Sequence, residues 1–320
     1  MLGLDGLIPG QENGNLNTVP GFTVSSLFPF FGGKLPDNEK VEPVYFWPKP
    51  LFRNEAAKND AALEAGEAKK YKKIQYVDTA HFESYLSQQR FPAGGTDNLH
   101  GAFQSAVLPK GRHEFLTDEV QTRLRKPRDE SAPEPYYIER LRFRYDSGLW
   151  CLVRYDSDES EQHVRAAIGL LEDFGLGTDR AVGNGQFRAS FGHIDLDVPQ
   201  TGPYATNLSL FCPESHDQLQ TLMTITDSNT TAPDPAVRFE LLRRGGWLSE
   251  PYNTLRKRSV QMFRAGSLLR LPDAKPFSTA GKLVNLMPLD DDKKPMLPHP
   301  VWRDGRALWL PVNLPTQWKL

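Results

Sequence analysis

Between Tyr136 and Tyr145 the chain alternates. Tyr137, Leu141, Phe143 and Tyr145 fall on one side with Glu139 interposed, and Arg140, Arg142 and Arg144 fall on the other. A period of two marks a half-buried strand. Asp146-Ser147-Gly148 then reads as a hairpin turn, with Leu149–Val153 as the return strand. After this the period changes. Ser157 or Asp158 starts a helix with Val164, Ala167, Ile168 and Leu171 at helical spacing, and Gly175 stops it. Past a glycine-rich stretch, Gln186–Leu196 and Asn207–Phe211 read as strands. Pro213 opens a short helix around Leu219 and Leu222, and Val237–Leu242 is a further strand. Strand, helix, strand, strand, helix, strand is the order of the split βαβ ferredoxin-like unit. The expected class is α+β.

The upstream half is less regular. Residues 1–22 are rich in Gly, Asn, Gln and Pro and read as an irregular arm. Two aromatic runs, Val24–Gly32 and Val44–Leu51, read as paired extended segments. Pro48 and Pro50 remove two backbone donors, so the second run is expected at an edge or as a packing ridge, not as a long central strand. Residues 54–70 read as a solvated helix. Lys69–Val77 passes from four lysines into an alternating strand pattern; its lysines are either a solvated edge or phosphate contacts. Asp78 caps a short helix carrying Phe82, Tyr85 and Leu86 on one face. Residues 91–135 are broken by prolines and glycines and read as a loop-rich excursion. Its densest basic cluster, Arg123–Arg128, is either a solvated loop or one that touches RNA. Near the other end, Phe239–Trp247 and Leu255–Phe263 read as a hairpin-like pair with basic residues between them.

Composition narrows the classes. A chain of 320 residues is a prior for two domains, which the change of pattern places at 1–135 and 136–320. Net charge is −2, so nucleic-acid binding requires basic residues gathered on one face. Cys151 and Cys212 lie far apart in apolar surroundings and read as buried reduced thiols, which fits a cytoplasmic protein. With no C-x-x-C and no close histidine pair, neither a zinc site nor another metal or cofactor is expected; Asp290–Lys294 reads as a solvated turn. There is no apolar run of about eighteen residues, and the first residues do not form a signal peptide. No membrane association is expected.

The stretch Asp173–Arg188 carries Gly175, Gly177, Gly183 and Gly185 around Arg180. Glycines reach positive φ and admit close backbone approach, which leaves N–H groups free to hold phosphate oxygens. Arg180 and Arg188 add charge. The dinucleotide fingerprint fails because its sixth position is Arg180 and the order is helix, loop, strand. The P-loop fails because Gly183 is followed by Asn184. On the loop alone, a phosphate site and a plain glycine turn remain equally open.

A glycine loop placed between such a helix and strand resembles the signature of the RAMP superfamily, roughly Gly-x-Gly-Gly-x-Arg-Ser-x-Gly-x-Gly. The match is at Gly175, Gly177, Arg180, Gly183 and Gly185, with departures at Thr178, Asp179 and Ala181. Further motifs follow in order: Ser25-Ser26-Leu27-Phe28-Pro29-Phe30, Tyr45-Phe46-Trp47-Pro48-Lys49-Pro50, Lys69–Val77, Arg244-Gly245-Gly246-Trp247, Arg256-Lys257-Arg258-Ser259-Val260, Gly281-Lys282-Leu283-Val284 and His299-Pro300-Val301. Together they resemble the fourth-subunit family of type III-A (Csm) CRISPR effector complexes.

That resemblance implies tandem ferredoxin-like (RRM-like) RAMP domains. The family's N-terminal strand and helix are not evident here, so the resemblance leaves three alternatives: an incomplete first domain, one completed by a partner, or a mis-assigned start. It also implies a non-catalytic subunit that holds the crRNA 5′ handle, joins the large polymerase-like subunit to a RAMP backbone subunit, and meets target RNA only indirectly. The handle contacts would be Gly175, Gly177, Thr178, Arg180, Gly183, Asn184, Gly185 and Arg188, with Arg243, Arg244, Arg256, Lys257 and Arg258 in second rank. The competing reading is a metal-independent RNA-processing endonuclease of the same superfamily. Its acid–base residue would be His113, beside Lys110 and Arg112. A third reading is a protein scaffold without RNA contact.

Overall fold

The computed structural model describes residues 11–12, 15–16, 20–34, 40–54, 65–92, 99–109, 111–125, 132–177, 180–227, 230–249 and 251–314. The chain forms two compact units. One comprises Met1–Ser26, Pro50–Phe52 and Leu152–Leu320; the other comprises Leu27–Lys49 and Arg53–Cys151. The class is α+β, with many short strands and four α-helices among the described residues.

The first unit begins with β1 (Gln11–Glu12) paired to β2 (Asn15–Leu16), then β3 (Phe22–Val24). The part of the arm that is described therefore already contributes strands.

The second unit contains β4 (Phe28–Phe31), β5 (Val44–Pro48), α1 (Ala65–Lys73), β6 (Tyr76–Asp78), α2 (Thr79–Ser87), β7 (Leu99–His100), β8 (Phe103–Gln104), β9 (Leu116–Arg125), β10 (Glu134–Phe143) and β11 (Gly148–Trp150). Its six-stranded sheet runs β11-β4-β5-β6-β8-β7, antiparallel except for β6 with β8. The two aromatic runs pair directly, with Phe30 opposite Tyr45. The edge expected for the second run is not observed: β5 is an interior strand. It is only five residues long, and Pro48 stands at its last position, where the missing N–H costs least. Phe31, Phe46, Phe103 and Phe115 form the core, with the Phe46 and Phe103 rings 4.7 Å apart. Trp47 stacks on Phe82 at 4.8 Å and donates from Nε1 to Thr79 Oγ1 at 3.1 Å.

Asp78 caps α2 as expected. Its carboxylate accepts from the His81 N–H at 3.0 Å, and from Ser105 Oγ and the Ala106 N–H at 2.8 and 2.9 Å. Burial alone would raise this carboxyl, but the hydrogen bonds and charge supplied by His81, with Ser105, outweigh it and hold it below its ordinary value. Phe82, Tyr85 and Leu86 are fully buried on the helix face predicted for them. The four lysines of the Lys69–Val77 segment end α1, and the strand starts only at Tyr76.

Two expectations here are corrected. The basic cluster beginning at Arg123 does not start in a loop: β9 and β10 pair over ten residues each, from Leu116↔Phe143 to Arg125↔Glu134. Residues 126–128 of that cluster lie outside the described residues. The turn after Tyr145 also exists, with Tyr145 and Asp146 both at positive φ, but it does not join paired strands. β10 pairs back on β9, while β11 joins β4. Trp150 explains the switch. It donates from Nε1 to the Phe46 carbonyl at 3.1 Å and meets Trp47 edge-on at 4.7 Å, so β11 is drawn into the aromatic sheet.

The first unit resumes with β12 (Val153–Tyr155), which pairs with β3. It continues through α3 (Asp158–Phe174), β13 (Gly202–Asn207), α4 (His216–Met223), β14 (Thr224–Asp227), β15 (Thr230–Pro233), β16 (Leu241–Trp247), β17 (Arg256–Phe263), β18 (Leu268–Ala274), β19 (Ser278–Ala280), β20 (Leu283–Asn285), β21 (Trp302–Asp304) and β22 (Ala307–Val312). The main sheet is β18-β13-β22-β19, and its core gathers Ala205, Phe211, Leu222, Phe263, Leu269 and Trp309. Ser157 caps α3 by accepting from the Ser160 N–H, and Gly175 closes it at φ 74°.

The strand expected over Gln186–Leu196 does not form; residues 186–199 run without ladder partners among the described residues. Side chains of α3 take over that role. Glu172 Oε1 accepts from the Ala189 N–H at 2.5 Å, and Arg165 lies 4.1 Å over the Phe191 ring. The strands expected at Asn207–Phe211 and Val237–Leu242 are displaced to β13 and β16. Both cysteines are free, and burial raises both thiols.

Candidate nucleic-acid interface

The glycine loop is built as a neck with an open tip. Gly175 N–H donates back to Leu171 O at 2.7 Å, ending α3, and Leu176 N–H donates across to Gly185 O at 2.8 Å. A Cβ on Gly175 would stand 3.1 Å from Gly185 O, and one on Gly185 would stand 1.7 Å from Leu176 O. Two glycines thus let the outgoing and returning backbones touch. At the tip the requirement differs. Gly177 and Gly183 hold φ of 88° and 81° with open space around them, so positive φ alone selects glycine there. Arg180–Val182 forms a single 3-10 turn closed by Gly183 N–H to Arg180 O at 3.0 Å. Arg180, Val182 and Arg188 are exposed; Asn184 is partly covered. Thr178, also expected in the site, lies outside the described residues together with Asp179.

The second-rank residues sit on the β16–β17 hairpin. Its register runs Arg243↔Gln261 and Arg244↔Val260, then shifts, so that Gly246 opposes Lys257 and Trp247 opposes Arg256. One residue, Gly245, thus faces two, Arg258 and Ser259, a bulge on the second strand. Leu241, Arg243, Gly245 and Trp247 share the outer face with Gln261 and Arg256, and all six are exposed. Leu242, Arg244, Lys257 and Val260 share the other face and are half-buried. The five basic residues expected as one cluster are therefore split: Arg243 and Arg256 face outward, Arg244 and Lys257 inward, and Arg258 is exposed at the bulge.

Two residues of this surface were missed by sequence reasoning. Arg303 on β21 is brought beside Arg244. Burial lowers its pKa first, Arg244's charge lowers it further, and Asp304 partly restores it. The two arginines are far apart in the chain, so no local pattern announces their approach. Trp247 is 56% exposed, with the Arg256 guanidinium 4.8 Å over its ring. Its signal was present in Arg-Gly-Gly-Trp, where an aromatic follows two glycines at the end of a basic run.

His113, the residue on which the nuclease alternative rests, is not isolated. Its ring stacks on His100 at 5.9 Å with 14° between planes. Its Nδ1 is buried without a hydrogen-bond partner among the described residues. Burial lowers the His100 pKa, and His113 lowers it further. Among the described residues no group of three His, Cys, Asp or Glu side chains could hold a metal ion, and no helix is long and apolar enough to cross a membrane.

Residues 200–312 match the family described as the CRISPR Csm4 C-terminal domain. A "CRISPR system Cms protein Csm4" of Thermococcus onnurineus is 24% identical over 234 residues, which is 72% of this chain and 65% of that protein. The protein of the same description from Mycobacterium tuberculosis is 25% identical over 235 residues, 72% of this chain and 68% of its own length. The chain thus matches just under two thirds of the Thermococcus protein. Among solved structures, the Csm3-Csm4 subcomplex of the type III-A CRISPR-Cas interference complex aligns over 92% of this chain and 84% of its own, with TM-score 0.54 and 16% identity. A Csm1-Csm4 cassette in complex with pppApA aligns over 92% and 80%, with TM-score 0.52 and 20% identity. At these identities the structures establish likeness of fold alone.

Proposed function

We propose that this chain, which is Csm4-like and of the RAMP superfamily, is a non-catalytic RNA-binding subunit of a type III-A CRISPR (Csm) complex. It would hold the 5′ handle of the crRNA and join the large polymerase-like subunit to the first backbone subunit, working in the cytoplasm. The observation that carries the RNA assignment is the glycine loop. Its neck is locked by the Leu176–Gly185 hydrogen bond, while its tip presents backbone and the exposed Arg180 to solvent, and Arg188, also exposed, lies just past the neck. Peptide N–H groups in such a loop take phosphate oxygens through their dipoles. A guanidinium fork adds charge-assisted bonds and positions the strand without reading its sequence.

The partners follow from the solved relatives, one captured with Csm1 and another with Csm3; we assign this chain the same two neighbours. We also retain the tandem ferredoxin-like reading for the fold. In it the 186–199 segment, pinned to α3 by Glu172 and Arg165, replaces one strand of the C-terminal domain.

The test is co-purification, followed by binding across a salt series. The chain, expressed with its complex, is expected to carry a short RNA of uniform 5′ end. Arg180→Ala should weaken handle binding by about ten-fold or more, the loss of one charge-assisted contact. It should also lower the slope of log affinity against log salt by about 0.7, one phosphate on a single strand. If Arg180→Ala and Gly185→Val both leave affinity and assembly unchanged, the loop is a structural turn.

A further inference from the structure

We infer that the outer face of the β16–β17 hairpin is a single-nucleotide stacking subsite, in which Trp247 carries an unpaired base and Arg243 and Arg256 take the flanking phosphates. The inference rests on the RNA-binding reading above and adds to it a site away from the glycine loop.

The argument begins with cost. A large aromatic ring 56% exposed gives up much of the burial that usually holds indoles inside a fold. Here the fold presents it by construction. Alternation along β16 sets Trp247 on the same outward face as Arg243, and the bulge at Arg258 and Ser259 against Gly245 brings Arg256 onto that face. Gly245, between them on that face, has no side chain, and a Cβ there would meet Ser259 Cβ at 3.2 Å. The result is a flat floor about 13 Å long from Arg243 to Trp247, given four residues of extended chain. Arg256, directly across from Trp247, lies 4.8 Å over one side of the ring. A base can stack on the remaining ring surface, and the cation strengthens the platform.

Charge selects the occupant. The outward face carries Arg243 and Arg256, with Arg258 exposed at the bulge, and neither strand contains an Asp or Glu. A protein partner would have to be strongly acidic to face this surface, whereas single-stranded RNA supplies both the anion and the π-face. Stacking tolerates any base, so the subsite fits a strand held by backbone and shape.

The experiment uses the full chain and a set of short single-stranded RNAs, each with one abasic position, with folding checked by thermal melting. Trp247→Ala is expected to weaken binding by about ten-fold, within the range for one stacked base, with the salt slope unchanged. Trp247→Phe should retain most of the affinity. One abasic position should weaken the wild type and leave Trp247→Ala unaffected. Arg243→Ala should lower the salt slope. Trp247→Ala binding RNA like the wild type overturns the subsite alone and leaves the handle assignment standing. A Trp247→Ala defect confined to assembly with the protein subunits also overturns it, and makes the ring a protein contact. A wild-type chain that binds none of the RNAs overturns both readings.

Discussion

The N–H of Leu176 donates to the carbonyl of Gly185 at 2.8 Å, and a Cβ added to Gly185 would fall 1.7 Å from the Leu176 carbonyl oxygen. The two backbones at the neck of the loop are as close as they can be, so the glycines of this loop are not equivalent.

That difference is measurable. Gly185→Ala combines positive φ with a backbone collision and should open the neck, lowering handle affinity severely. Gly183→Ala meets only the cost of a side chain at positive φ, about 1–2 kcal/mol. Affinity and melting temperature of the two variants check this; equal behaviour would refute the neck.

Trp47 is expected to be structural. It is fully buried, stacked on Phe82 and edge-on to Trp150. Trp47→Ala should cost about 3–5 kcal/mol, read from chemical denaturation. A stable Trp47→Ala protein with a selective RNA-binding defect would contradict the assignment.

Lys49 predicts an alkaline signature. Burial lowers its pKa from 10.5 to about 8, while its Nζ donates to Tyr71 O at 3.0 Å. Between those values the unfolded chain holds a proton that the folded chain has lost, so stability should rise with pH from about 8. From 9.0 upward the opposite sign sets in, because burial keeps the Cys151 and Cys212 thiols, and above 10.0 Tyr71 and Tyr85, protonated in the folded state while the unfolded groups ionise. Denaturation midpoints across this window should show a maximum, and Lys49→Met should remove its rising limb. An unchanged rise in that variant would assign it to other groups.

Catalysis by the stacked His100–His113 pair is not expected. Purified protein incubated with guide and target RNA, with and without Mg²⁺, should leave both intact. Cleavage that disappears in His113→Ala would reverse this.

Helix ends and packing faces were legible where one residue type had one reason to be there. Asp78, Ser157 and Gly175 cap as their side chains dictate, and Phe82, Tyr85 and Leu86 bury the face their spacing defines. Strand partnership was less legible, because pairing is settled by contacts distant in sequence. The alternation of β10 was visible, but its partner was taken to be the next strand, whereas Trp150 carries that strand to β4. The segment after the glycine loop has strand-like residues, yet its Ala189 N–H is taken by the Glu172 carboxylate of α3 rather than by a neighbouring strand. In the site, the four glycines announced the loop, but which of them are needed for contact and which for φ required coordinates. The pairing of Arg244 with Arg303 left no local trace at all.

The place of β22 has a consequence for how the protein is made. Ala307–Val312, buried at all six positions, pairs with β13 on one side and β19 on the other. Strands separated by up to about a hundred residues of chain are therefore joined only when this stretch leaves the ribosome. The other unit draws its described residues from positions 27–49 and 53–151 and is synthesised well before. Domains fold as they emerge, so the earlier unit can mature while the later sheet waits with the β13 edge bare. A message cut short before Ala307 would yield a nascent chain with an open apolar edge, the kind of surface that chaperones and proteases recognise.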